Sequence, residues 1–202
     1  MSRTLGVLIS GRGSNLQAIL DAIAAGRLDA RVGIVISNKR DAPGLKRAEA
    51  ASVPTAFVSH RDYGSREAFD EAVVKELRAH EVDVVCLAGF MRILSPVLVQ
   101  AFPDRILNVH PSLLPAFVGL DAQRQALDYG AKVSGCTVHL VDEELDHGPI
   151  VLQASVPVEE DDDEDTLSAR ILEQEHRLYP EAIRLLLAGR VRIAGRRAFV
   201  SP

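Results

Sequence analysis

Two polar side chains with complementary chemistry, Asn108 and His110, lie two residues apart at the end of an apolar segment. Residues 105–110 have the apolar, partly β-branched composition of a short buried strand, in which alternate side chains point to the same side. A carboxamide beside an imidazole offers a hydrogen-bond donor for developing negative charge and a group that transfers protons near neutral pH. The pattern predicts a catalytic pair; a polar strand end before the proline turn at Pro111 and Pro115 is the alternative.

A carboxylate that would complete this pair lies in the acidic segment 142–149, between two predicted strands. The segment is long for a hairpin connection, so it is either a functional loop or a solvated turn. Asp146 is the residue of this segment that we expect to act together with His110. A carboxylate next to His110 would orient the imidazole ring and favour its charged form.

A glycine-rich segment, Ser10-Gly11-Arg12-Gly13-Ser14-Asn15, separates an apolar run from a helix-like periodic segment. In a strand–loop–helix unit of this kind, backbone N–H groups at the helix N-terminus favour a phosphate. Leu16 stands where a dinucleotide-binding motif has its third glycine, so one phosphate monoester is a better prediction than NAD. The alternative is that the glycines only make a tight turn.

A second loop, which we call the Met91 loop, comprises Gly89 to Leu94 and follows the most hydrophobic run of the chain. An exposed apolar loop with one arginine, Arg92, would suit a flat apolar ligand with an acidic tail. The alternative is a loop buried in the core with Arg92 in an ion pair. Ser95 and Pro96 then have the pattern of an N-cap and first helical residue.

Apolar runs alternate with helix-like segments through the first half of the chain, which predicts a β-α-β order and a parallel sheet. The predicted strands are 4–10, 32–37, 55–58, 82–88 and 105–110. Ligand sites in such sheets lie outside the carboxyl ends of the strands. The glycine-rich segment, the Met91 loop and His110 should therefore lie at one edge.

The second half of the chain predicts a helix over 121–129, strands over 133–141 and 150–156, a long helix over 166–188 and a terminal hairpin. We predict an α/β fold: a single-domain, Rossmann-like, twisted and mainly parallel sheet with helices on both faces. Antiparallel additions should follow towards the C-terminus. The sequence shows no internal repeat and no linker.

Seven consecutive acids, residues 159–165, precede the long helix. They predict a solvated loop that leads into a helix N-terminus, where negative charge is favourable. A metal site is the alternative, but consecutive carboxylates lack the alternating spacing of a calcium loop. His139 and His147 also lack metal-site spacing, and we expect them to be a sheet residue and a loop residue. We expect no metal.

The composition narrows the function classes. The chain has 202 residues, a formal net charge of −5 and two cysteines. The charge argues against nucleic acid as a partner, and Cys86 and Cys136 lie in apolar runs without a disulfide or zinc pattern. No signal peptide or membrane-spanning run is visible. We expect a cytoplasmic protein with small-molecule substrates, and a monomer or weak homodimer.

The chain resembles, almost end to end, the folate-dependent phosphoribosylglycinamide formyltransferases of purine synthesis. Four segments in order carry the resemblance: 7–15, 88–95, 108–115 and 145–149. The last two mark the wider formyltransferase superfamily, and the segment Ser10 to Asn15 narrows the resemblance to this family. It implies one formyltransferase domain over 1–202, with a mononucleotide-binding half up to about residue 100 and a folate-binding, catalytic half after it.

The resemblance implies formyl transfer from 10-formyltetrahydrofolate, a co-substrate, to a glycinamide amine through a tetrahedral intermediate. Asn108 would bind the oxyanion, His110 would act as general acid, and Asp146 would keep His110 protonated. The ribonucleotide would contact Gly13, Ser14, Asn15 and Glu175. The formyl-folate would contact Arg66, Met91, Arg92, Ile93, Leu94, Asn108, Asp142, Glu143, Glu144, Leu145 and Asp146.

Three residues depart from the family pattern: Val118, Leu172 and His147, the last at a place where a small residue is frequent. Three other functions remain possible. A formyltetrahydrofolate hydrolase would use water in place of the amine, but we expect no regulatory domain before Leu5. Formylation of initiator transfer RNA would call for a basic face. A non-catalytic mononucleotide-binding module would leave Asn108, His110 and Asp146 without a shared purpose.

Overall fold

The computed structural model describes residues 3–201. Within this range the chain forms nine strands and six α-helices. It divides into two compact units, of which the first ends at Asn108 and the second begins at Val109. Most strand pairs are parallel, so the predicted α/β class is confirmed.

The first unit is a parallel sheet in the order β3-β2-β1-β4-β5. Its strands are β1 (Thr4–Ile9), β2 (Arg31–Ser37), β3 (Thr55–Phe57), β4 (Val84–Leu87) and β5 (Ile106–His110), the last of which runs two residues into the second unit. Its helices are α1 (Ser14–Ala24), α2 (Pro43–Ala50), α3 (Arg66–Ala79) and α4 (Pro96–Ala101), with a short 3-10 turn at His60–Asp62.

Every residue of β1 and β4 is buried, as in a parallel strand that is covered on both faces. The strand register then places the predicted site segments. Leu8 of β1 pairs with Leu87 of β4, and Leu87 pairs with Asn108 of β5. The glycine-rich segment, the Met91 loop and Asn108 therefore lie at the same carboxyl edge of this sheet, as predicted.

The second unit combines α5 (Ala122–Tyr129), β6 (Val133–Leu140), β7 (Ile150–Pro157), α6 (Glu164–Leu187), β8 (Val191–Ala194) and β9 (Arg197–Val200). Its strand order is β6-β7-β9-β8, with antiparallel β6–β7 and β8–β9 pairs. These are the predicted antiparallel additions. No helix within residues 3–201 is long and apolar enough to cross a membrane.

Two helix starts follow directly from the sequence. The Ser65 hydroxyl accepts a hydrogen bond from the N–H of Ala68 at 3.1 Å and so caps α3. Asp163 and Thr166 form a capping box at the start of α6. Ser95 occupies the N-cap position of α4, but its side chain makes no capping hydrogen bond.

Candidate active site

His110 ends β5 and is almost completely buried, with acceptors facing both ring nitrogens. Nε2 lies 2.9 Å from the carbonyl oxygen of Phe117, and Nδ1 lies 3.4 Å from Oδ2 of Asp146. Since a carbonyl oxygen only accepts, Nε2 must carry a proton. A proton on Nδ1 would face the carboxylate. Nδ1 and the Asp146 carboxylate therefore lie at ion-pair distance.

Asp146 lies in the loop between β6 and β7, and its side chain is only 8% exposed. Oδ2 accepts a hydrogen bond from the N–H of Gly119 at 2.9 Å, which holds the carboxylate next to His110. The structure thus brings Asp146 and His110 together, as the sequence suggested. Their catalytic roles stay predictions.

A second buried imidazole, that of His139 on β6, faces the other carboxylate oxygen. Its Nε2 is 3.8 Å from Oδ1 of Asp146, too far for a hydrogen bond, and its Nδ1 is 2.9 Å from the carbonyl oxygen of Leu140. Burial lowers the pKa of His139 and outweighs the opposing effect of the Asp146 charge. The sequence predicted only a sheet residue here, since its pattern gave no sign of this proximity.

Asn108 also lies on β5, two residues before His110, and its side chain is half-buried. Alternate residues of a strand point to the same side. The amide and the imidazole are therefore directed to the same side of β5, and their action as a catalytic pair stays a prediction.

The glycine-rich segment connects β1 to α1. Gly13 is the N-cap residue with φ of 71°, and a Cβ atom there would lie 2.7 Å from Cα of Gly44. Only glycine allows both that left-handed conformation and that close approach. No side chain caps α1, and its first turn has no acidic residue. Ser14 and Asn15 begin this helix, whose N-terminus suits an anion.

The Met91 loop is largely exposed: Met91 is 59% and Ile93 50% exposed, whereas Leu94 is buried. Arg92 is also exposed. The alternative of a loop buried in the core therefore applies to Phe90 and Leu94, but not to Met91, Arg92 and Ile93. Arg66, another predicted folate contact, is the exposed first residue of α3.

Buried polar side chains that sequence reasoning missed anchor both ends of the Met91 loop. The Ser10 hydroxyl accepts from the N–H of Met91 at 2.9 Å and donates to Oδ1 of Asn38 at 2.7 Å. At the other end, the N–H of Ser95 donates to Oδ2 of Asp70 at 2.5 Å. Burial raises the pKa of Asp70, and this hydrogen bond lowers it in part. The exposed loop therefore has fixed ends.

The remaining predicted contacts lie in the second unit. Glu175 is buried on α6, and its charge acts on Cys136 of β6, where burial and that charge raise the pKa of the thiol to about 12. In the β6–β7 loop, Glu143, Glu144 and Leu145 are exposed, and Asp142 is half-buried. Among residues 3–201, no three His, Cys, Asp or Glu side chains are arranged to hold a metal ion.

Comparison with known proteins identifies the family to which the chain is similar. Residues 3–183 match the model of the formyl transferase family. Phosphoribosylglycinamide formyltransferase of Escherichia coli is 49% identical over 187 residues, which are 93% of this chain and 88% of that protein. The trifunctional purine biosynthetic protein adenosine-3 of Drosophila melanogaster is 50% identical over 93% of this chain, which spans only 14% of that protein.

A solved structure agrees with the sequence comparison. Glycinamide ribonucleotide transformylase 1 of Symbiobacterium toebii is 55% identical and has a TM-score of 0.98, with 100% of this chain and 95% of that chain covered. The chain therefore belongs to the formyl transferase family and, within it, to the phosphoribosylglycinamide formyltransferases.

Proposed function

We propose that the protein transfers the formyl group of 10-formyltetrahydrofolate to the amino group of phosphoribosylglycinamide in purine biosynthesis. The observation that carries this proposal is the position of His110 between the Phe117 carbonyl and the Asp146 carboxylate. In this proposal the carboxylate stabilises the imidazolium form of His110, and a cation beside Asn108 is the group that a developing oxyanion requires. The choice of the two substrates in this proposal is supported by membership of the phosphoribosylglycinamide formyltransferase family.

In the proposed reaction the amine nitrogen attacks the formyl carbon, and the carbonyl oxygen becomes an oxyanion. The Asn108 amide donates a hydrogen bond to that oxygen. His110 acts as the general acid with its Nε2 proton, which leaves the Phe117 carbonyl for the reacting atoms, directly or through a water molecule. The carbon–N10 bond then breaks, N10 of the folate gains a proton and the amine loses one, so that no proton is consumed overall. Asp146 stabilises the imidazolium form of His110 before the proton is donated.

The proposed contacts of the two substrates come from separate segments of the chain. We place the ribonucleotide phosphate at Gly13, Ser14 and Asn15, because the uncapped N-terminus of α1 favours an anion. The family resemblance adds Glu175. The exposed apolar side chains of Met91 and Ile93 suit the flat ring system of the formyl-folate.

The remaining folate contacts in this proposal come from the family resemblance and are Arg66, Arg92, Leu94, Asn108, Asp142, Glu143, Glu144, Leu145 and Asp146.

We further propose one formyltransferase domain that works in the cytoplasm on small molecules, as a monomer or weak homodimer. Sedimentation across a range of protein concentrations would measure the oligomeric state.

One assay separates transfer from hydrolysis. The purified protein is mixed with 10-formyltetrahydrofolate, with and without phosphoribosylglycinamide, and release of tetrahydrofolate is followed; a His110→Ala preparation controls for contaminating activity. We expect release only when the ribonucleotide is present. Release without it would instead identify a hydrolase, and no release in either mixture would refute both enzymatic functions.

A further inference from the structure

The residue that follows Asp146 is held from two directions. Nδ1 of His147 lies 2.7 Å from Oδ2 of Asp142, at the start of the same loop. Arg196, in the turn between β8 and β9, donates one hydrogen bond to Nε2 of His147 and another, of 2.6 Å, to its carbonyl oxygen. The terminal hairpin therefore reaches the loop that contains Asp146.

These contacts determine the protonation state of His147. Arginine has no acceptor, so Nε2 must be unprotonated to receive its hydrogen bond. The single ring proton then lies on Nδ1 and is donated to Asp142. The other charged group that faces the ring is Glu144, with Oε2 3.9 Å from Nε2. A second proton, on Nε2, would break the hydrogen bond from Arg196.

The loop needs such support because its backbone is constrained on both sides of His147. Asp146 has φ of 50°, a left-handed conformation that residues with side chains seldom adopt. Gly148 packs so closely on β6 that a Cβ atom there would lie 1.9 Å from the carbonyl oxygen of Leu140. His147 lies between these two residues. Contacts that hold His147 in place therefore also restrict the backbone of Asp146, and with it the direction of the Asp146 carboxylate.

We propose that Asp142, His147 and Arg196 form a clasp that positions Asp146 against His110. His147 and Arg196 are positioning residues: they act through Asp146 and touch no reacting atom. The catalytic consequence rests on the proposed function, but the geometric one does not. The Gly119 N–H, which donates to Asp146, reports where that carboxylate lies whether or not the protein is active.

The test compares Arg196→Ala with Arg192→Ala. Arg192 is on the same hairpin and lies over the ring of Phe199, so its loss should leave the clasp intact. Amide hydrogen exchange of Gly119, measured by NMR at pH 8, should be about three- to tenfold faster in Arg196→Ala only, as expected for loss of one or two hydrogen bonds. Arg196→Lys, which retains a donor, should recover part of the protection.

Steady-state kinetics give a second readout. In Arg196→Ala, kcat should fall by a similar factor, with KM for the ribonucleotide unchanged. In a His147→Gln background, whose amide can donate to Asp142 and accept from Arg196, the Arg196→Ala change should reduce kcat by a similar factor.

Unchanged Gly119 exchange in Arg196→Ala would overturn the clasp. Equal acceleration in Arg192→Ala would also overturn it, since the effect would then belong to the hairpin as a whole. Faster exchange in Arg196→Ala together with no formyl transfer by the wild type would retain the clasp and refute the proposed function. The two proposals therefore fail separately.

Discussion

Asp146 faces two buried imidazoles that differ in their contacts. The Nδ1 of His139 donates to the Leu140 carbonyl, and burial lowers its pKa. His110 instead has an acceptor at each nitrogen. Nδ1 of His110 is also nearer to the Asp146 carboxylate, at 3.4 Å, than Nε2 of His139, at 3.8 Å.

Ser14 provides a prediction about binding. Its hydroxyl lies at the first residue of α1, next to the uncapped helix N-terminus. Hydrogen bonds to charged groups contribute about 1.5–3 kcal/mol. We expect Ser14→Ala to weaken ribonucleotide binding by about 10- to 100-fold, measured by titration calorimetry, with kcat at saturating ribonucleotide nearly unchanged. An unchanged affinity would remove Ser14 from the phosphate site.

How far the sequence predicts the site depends on how local each interaction is. Asn108 and His110 are neighbours on one strand, so strand periodicity places them together. The Ser10–Met91 and Asp70–Ser95 hydrogen bonds join residues 81 and 25 positions apart, and only the folded chain reveals them. The proximity of His139 to Asp146 is hidden for a different reason, since its apolar strand is typical of any core position.

At the level of secondary structure, the acidic run 159–165 is the element that differs most from its prediction. We predicted a solvated loop before a helix. Asp163 does cap α6, but the Asp162 side chain is only 2% exposed and binds Arg170 through both oxygens, at 2.6 and 2.9 Å. The run is thus partly a structural ion-pair site, because the second turn of α6 places an arginine over it.

This ion pair predicts a pH-dependent stability. Hydrogen bonds from Arg170 hold the pKa of Asp162 well below its usual range. A lowered folded-state pKa stabilises the protein above the unfolded aspartate value of about 4, and this stabilisation is lost as the pH falls through the folded-state pKa. Arg170→Gln should therefore lower Tm by about 2–4 °C at pH 7 and by progressively less below about pH 4.

Differential scanning calorimetry from pH 3 to pH 7 would measure the effect. Arg177→Gln is the matched control, because Arg177 lies on the same helix and contacts the uncharged Gln174. A Tm difference for Arg170→Gln that stays constant across this pH range would contradict the assigned role of Asp162.

The order of helices and strands was the most predictable feature of the molecule. It depends on apolar periodicity and on the glycine and proline residues between segments, which are local features of the sequence. The boundaries of the elements were less predictable. The predicted strand 82–88 is observed as β4 over Val84–Leu87, and the side chain of Asp83, just before β4, accepts a hydrogen bond from the N–H of Thr4 at 2.9 Å. The placement of Glu175 on α6 relative to any substrate came only from the family resemblance and stays a prediction.

At the scale of the whole molecule, the proposed chemistry centres on His110 and Asp146, which both belong to the second unit. Phosphate binding would use the first unit, so loss of the Asp146 charge should separate chemistry from ribonucleotide binding.

The most direct measurement is single-turnover formyl transfer by Asp146→Asn, together with its ribonucleotide affinity. Asparagine can still accept from the Gly119 N–H but no longer stabilises the imidazolium. We predict a rate reduced by about 10²- to 10⁴-fold, an affinity within about threefold of wild type, and no change in Asp128→Asn, which removes an exposed acid on α5. A wild-type rate in Asp146→Asn would contradict the proposed role of the Asp146 carboxylate in formyl transfer.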